Sequence, residues 1–238
     1  MTKQGWALSP LLCALAGSAV LAGLTWPHLQ RSQEPVPAAP AFQRSPEVEA
    51  FIRQHYIHAI PYAEGRALGG SAVPTLLELL GDAREDDYLA NTVLVLGLVG
   101  GPDVTPALVD VLERRYMGAV PHWQYLGLLT VNVALGNLAN RGDAGALGYL
   151  VQGADPAFWG DRVAWSQETM TRGELQDLLA KMAIFGLGLS GKPAALSRLQ
   201  ELSQPGDDSF RDNVAEAIEL HGRIVRDGID VVFANQGR

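Results

Sequence analysis

Three breaks in the chain share one arrangement, a polar residue with proline three positions on: Ser71-Ala72-Val73-Pro74, Asp103-Val104-Thr105-Pro106 and Ser190-Gly191-Lys192-Pro193. Proline lacks an N–H and clashes with the preceding turn, so a helix tolerates it only in the first turn, where the amides have no intrahelical partner. A Ser or Asp side chain just upstream can accept bonds from those same amides. Each break therefore predicts a helix start. Counting two, three, five and six residues from the proline finds Leu76, Leu77, Leu79 and Leu80 in the first block and Leu108, Val109, Val111 and Leu112 in the second. That pattern is one apolar helix face. The last block has Ala195, Leu196, Arg198 and Leu199. A weaker copy from Ala144 has Ala146, Leu147, Tyr149 and Leu150, without the proline or a good cap.

Upstream of the later starts lie helices that are apolar nearly all round and carry Leu-Gly near their ends: Asp87 to Val99 with Leu96-Gly97, Trp123 to Leu138 with Leu135-Gly136, and Leu175 to Leu189 with Leu187-Gly188. Such a helix must be covered on several sides, as neighbours on both flanks of a stack would cover it, and glycine lets helices approach closely. The starts at Pro74, Pro106, Ala144 and Pro193 recur about every 30 to 50 residues. Aromatics make up 7% of a chain that is 47% hydrophobic, a vocabulary of Leu, Ala, Val and Gly that suits helix packing better than sheets. The expected fold is all-α, an α-solenoid of about four to five stacked helix pairs, preceded by one hydrophobic N-terminal helix. In three features the chain resembles the HEAT-repeat family, including the shorter HEAT-like units first described in phycobilisome lyases: Leu96-Gly97 then Asp103 to Leu112, Leu135-Gly136 then Asp143 to Leu150, and Leu187-Gly188 then Pro193 to Leu199. The resemblance covers Ala67 to Leu202 and implies a fold far more than a function. Terminal caps are expected at Pro46 to Tyr62 and at Phe210 to Phe233, where Arg211, Glu216, Glu219, Arg223 and Arg226 supply polar faces.

From Trp6 to Trp26 no residue is charged, with Lys3 before and Arg31 after. That stretch is long enough to cross a bilayer and has Trp at both ends. It reads as a signal anchor, giving a single-pass membrane protein with its C-terminal body on the non-cytoplasmic side. The alternative is a signal peptide cleaved after Val20-Leu21-Ala22, with the body exported. Pro27, Pro35, Pro37, Pro40 and Pro46 make the next stretch an extended spacer. The expected organisation is therefore an anchor or signal peptide over 1–26, a proline-rich linker over 27–45 and a HEAT-like body over 46–238, with an insertion at 153–173. The net charge of -8 argues against nucleic acid as a partner, because phosphate tracking draws on clustered Lys and Arg. The single cysteine, Cys13, lies in the apolar segment, so the body has no thiol for a disulfide, a zinc-thiolate site or a cysteine nucleophile.

The insertion from Gly153 to Gly173 carries Phe158, Trp159 and Trp165, and insertions in repeat proteins become loops, often on a binding face. The alternative is that these aromatics fold back as a lid. Glu78, Asp110, Glu113, Arg114, Arg198 and Glu201 fall on the second helices of the pairs, which line the concave face in HEAT-like stacks and could form a polar peptide groove; solvated helix faces carry such charges anyway. His55 and His58 sit three apart on an expected helix, where both imidazoles could face one metal ion with Glu64 or Asp87 as the third ligand, but the spacing fits no metalloenzyme pattern. No Gly-x-Ser-x-Gly, P-loop, Rossmann or His-Glu-x-x-His motif occurs. The sequence thus names no catalytic residue, no cofactor site and no metal site. It points to a scaffold that binds another protein through Phe158, Trp159 and Trp165 or through Glu78, Asp110, Arg114 and Arg198. The alternative is an enzyme of unfamiliar type on a HEAT-like scaffold, lyase-like or binding a small ligand.

Overall fold

A computed structural model describes residues 42–56, 60–204 and 210–234. They are mostly helical. The α-helices are α1 (Pro46–Ile52), α2 (Tyr62–Ala67), α3 (Val73–Gly81), α4 (Leu89–Val99), α5 (Val104–Glu113), α6 (His122–Asn140), α7 (Ala144–Gly153), α8 (Arg172–Ser190), α9 (Pro193–Leu202), α10 (Arg211–Asp227) and α11 (Ile229–Phe233). Strands β1 (Gly118–Ala119) and β2 (Trp165–Ser166) form one short parallel pair.

The proline breaks do start helices: Pro74, Pro106 and Pro193 all lie in a first turn. The capping role expected of the residue three positions earlier needs correction. Ala72 and Asp103 precede α3 and α5 with backbones already helical, and neither gives a side-chain cap bond. A cap needs an extended backbone to aim its oxygen at the first-turn amides. Asp143 has one, with ψ of 105°, and accepts from Gly145 N–H at 2.8 Å and Ala146 N–H at 3.1 Å. So α7, expected to lack a good cap, is the one of α3, α5, α7 and α9 that has a side-chain cap. Thr105 of α5 also donates to Asp143, which ties the starts of α5 and α7 together.

The helices α4, α6, α8 and α10 pack side by side in chain order, while α3, α5, α7 and α9 lie against them. The Leu-Gly pairs are the seams of that row. A Cβ on Gly97 would come within 2.5 Å of Ala134 Cα; on Gly136, within 2.7 Å of Gly186 O; on Gly188, within 2.8 Å of Ala217 O. Each helix thus places a glycine backbone directly on the backbone of the next. The leucines before those glycines, Leu96, Leu135 and Leu187, are fully buried. Each of these helices is covered on more than one flank, and the described residues are mostly helical, as an all-α chain requires.

The insertion is an ordered cover. A 3-10 turn, Pro156–Trp159, leads into β2, and the Arg172 guanidinium gathers the carbonyls of Gly160, Val163 and Trp165. Both tryptophans are fully buried. The Trp159 indole donates to Gly153 O and the Trp165 indole to Leu112 O, each at 2.7 Å.

At the amino end, α1 fills only Pro46–Ile52 of the terminal cap expected over Pro46 to Tyr62. At the other end, Arg211, Glu216, Glu219, Arg223 and Arg226 are exposed on α10. Gly228, at φ +85°, turns the chain so that α11 reaches back to α2, where Tyr62 OH donates to Asp230 Oδ1 at 2.7 Å. The transmembrane expectation is corrected: among the described residues no helix is long and apolar enough to cross a membrane. The Trp6 to Trp26 segment on which it rested lies outside the described residues.

Candidate functional site

The residues expected to meet a partner divide into three groups. Trp159 and Trp165 cannot touch one, since their rings are enclosed and their N–H groups are committed to backbone carbonyls. They hold the insertion down, as the lid alternative described. Phe158 is half-buried, with the Arg162 guanidinium 4.2 Å from its ring centre. Arg162 in turn pairs at 2.8 Å with the buried Glu113, which also accepts from Tyr149 OH at 3.1 Å. Burial, then the Glu113 charge, pushes that phenol above its ordinary range. Phe158 and Arg198 come together in an open groove of about 440 Å³ between α7 and α9, with Asp155 and Glu201 on its walls.

The third group sits on α3 and α5. Asp110 lines a larger groove between these helices, about 560 Å³, floored by Leu77, Leu80, Ala107 and Val111. Glu78 and Arg114 are exposed and do not line it; Arg114 reaches back to Asp110 at 3.4 Å. Part of the groove's wall is a polar knot. Asp86, on the 3-10 turn Ala83–Tyr88, holds Arg115 in an ion pair and accepts from Gln124 Nε2 at 3.0 Å. A shielded pair of this kind contributes more to geometry than to stability, because desolvation offsets much of its attraction. It fixes α5's end against the start of α6. Burial first, then Asp86, pushes the neighbouring Tyr116 hydroxyl well above its ordinary range, so it stays a neutral phenol.

Just past the knot, the chain exposes large apolar side chains, of which only Trp123 figures in the sequence analysis. Met117 is 82% exposed and Trp123 61%, with Leu126 one turn further along α6. Trp123 had been read as the start of a core helix. A helix of 19 residues beside one of 11 must overhang it, and Leu89, the first residue of α4, meets α6 at Gly127. Trp123 and Leu126 precede that point and therefore project past α4. The length mismatch between the two helices is the signal that could have found them. The Trp123 ring lies against that of His122, also exposed, with centres 5.6 Å apart, and two residues on Tyr125 lies 6.3 Å from the buried Trp165.

His55 is exposed and follows α1 instead of lying on a helix, and His58 lies outside the described residues. Among the described residues no group of three His, Cys, Asp or Glu side chains is placed to hold a metal ion. Comparison of the chain with known protein families, with characterised proteins and with solved structures returns no match.

Proposed function

We propose that the chain is a protein-docking module, a short HEAT-like α-solenoid whose α3–α5 groove receives a segment of a partner protein. Met117 and Trp123 act as the anchors beside the groove's Asp86–Arg115 wall. The observation that carries this reading is the exposure of Met117 and Trp123 on an ordered base. Monomer surfaces seldom leave such side chains uncovered together, and Trp is the residue most enriched among binding hot spots. The groove supplies an apolar floor with charged edges at Asp110 and Arg115, the usual anatomy of an interface.

The test uses the full chain as bait, with cross-linking mass spectrometry to map the contact. A Met117→Ala/Trp123→Ala pair should weaken partner binding by about tenfold or more, as two truncated hot spots do, and leave the unfolding midpoint unchanged. A Phe158→Ala variant in the other groove should bind like the parent. Equal binding by the paired variant, or loss only in Phe158→Ala, overturns the assignment. Deleting 153–173 is no test, because it removes the buried Trp165 and with it the core under α5.

A further inference from the structure

We propose that the cavity beneath α11 is a binding site for a small neutral apolar molecule the size of a substituted aromatic ring, with α11 as its lid. The cavity measures about 210 Å³ and shares no residue with the α3–α5 groove. Its wall is built by Leu94 and Leu98 of α4, Val133 of α6, Phe185 and Leu189 of α8 and Phe233 of α11. An apolar cavity of about 150 Å³ accepts a benzene ring, so this one has room for a ring and a few further atoms. The lining excludes charged ligands, whose burial without a counter-charge is costly.

Two polar side chains reach the wall, and they differ in what they can offer. Tyr62 has its hydroxyl committed to Asp230 Oδ1 at 2.7 Å. Asn137 has Nδ2 bonded to Val133 O of its own helix at 3.1 Å, which leaves the amide oxygen to accept from a ligand hydroxyl. A ring bearing one hydroxyl is therefore the favoured chemistry.

The lid is a short element held by one polar cluster and by packing of Ile229, Val232 and Phe233 against Leu189, Leu220 and Ile224. It is five residues long, too short to be a stable helix by itself, and it hangs from Gly228 at φ +85°. Its polar tethers are the Tyr62–Asp230 bond and an ion pair between Arg66 and Asp230 at 3.4 Å, with Asp230 62% exposed. Its ring contact is Phe233 on Tyr62, centres 5.7 Å apart. Rotation at Gly228 lifts Phe233 from the cavity and opens it beside the exposed Phe185.

Calorimetric titration of the full chain with p-cresol tests the site. The parent should bind one molecule saturably. Val133→Phe, which fills the cavity, and Phe185→Asp, which puts a charge at its exposed mouth, should each weaken binding by about tenfold or more. Asp230→Ala, which frees the lid, should speed association. Because Phe185 is an exposed position, Phe185→Asp keeps the test valid if Val133→Phe fails to fold. Absence of saturable binding, or binding unchanged in the folded variants, overturns the site; an unchanged association rate in Asp230→Ala overturns the lid.

Discussion

Replacing Gly136 by alanine tests what sets the spacing of the central helices. In isolation the change favours folding, since alanine in a helix interior is better than glycine by about 1 kcal/mol. Here the new Cβ meets Gly186 O at 2.7 Å and Gly186 Cα at 2.9 Å, both backbone atoms that no rotamer change can move. Ordinary contacts lie near 3.5 to 4.0 Å, so α6 and α8 must part by about 1 Å, enough to forfeit up to half the dispersion attraction along the seam. Overpacking of this kind costs about 3 kcal/mol or somewhat more, and the propensity gain leaves a net loss of about 2 to 3 kcal/mol. For a domain of this size that lowers the thermal midpoint by about 5 to 10 °C. The controls are Gly148→Ala on α7 and Gly222→Ala on α10, where a Cβ meets nothing within 4 Å. Each should raise the midpoint by about 2 °C. Thermal and urea unfolding followed by circular dichroism decides the matter. If Gly136→Ala stabilises as the controls do, glycine contact is not what brings these helices together.

Three further outcomes are expected. Asn132 is fully buried with neither amide atom hydrogen-bonded, at the position four before the seam glycine where α4 has Val93 and α8 has Ile184. Asn132→Leu should therefore stabilise by about 1 to 3 kcal/mol in urea unfolding, and a loss would mean the amide is satisfied. Trp165→Phe strips the donor from Leu112 O and leaves a void, for a loss of about 2 to 4 kcal/mol, while Trp123→Phe should leave stability within about 0.5 kcal/mol and blue-shift the fluorescence. Hydrogen bonds from Arg84, then Arg44, hold the Asp82 carboxyl well below the usual carboxylate range. The folded state thus favours the ionised form, and its contribution is complete above about pH 4 and lost as the pH falls further. The parent should lose its stability advantage over Asp82→Asn on acidification, measured at low salt, and a constant difference would refute the sign.

Much of the helical skeleton was legible because its signals are local. Pro74, Pro106 and Pro193 can sit only in a first turn, and the buried faces of α3 and α5 follow from 3.6-residue periodicity. Capping was less legible: an Asp is a cap only if its own backbone is extended, as at Asp143 and not at Asp103. For the site, the sequence puts Asp110 on a helix face and leaves Trp159 and Trp165 open between partner contact and a folded-back lid, while Trp123 falls in a pattern that reads as an apolar helix. Trp159 and Trp165 lie in a stretch without periodicity, where residue type says nothing about burial, and Trp123 lies in a helical pattern that reads as core.

The sequence by itself determined where helices begin, which faces are apolar and where glycine permits close approach, because those depend on neighbours within a turn or two. The tertiary structure alone decided which aromatic is covered and which is bare. Trp165 finds its acceptor 53 residues away at Leu112, and Asp230 finds Tyr62 across 168 residues. Trp123 is exposed at the start of α6, ahead of the point where Leu89 of α4 meets Gly127. Burial and hydrogen-bond satisfaction are properties of what packs alongside, and distant chain segments set them.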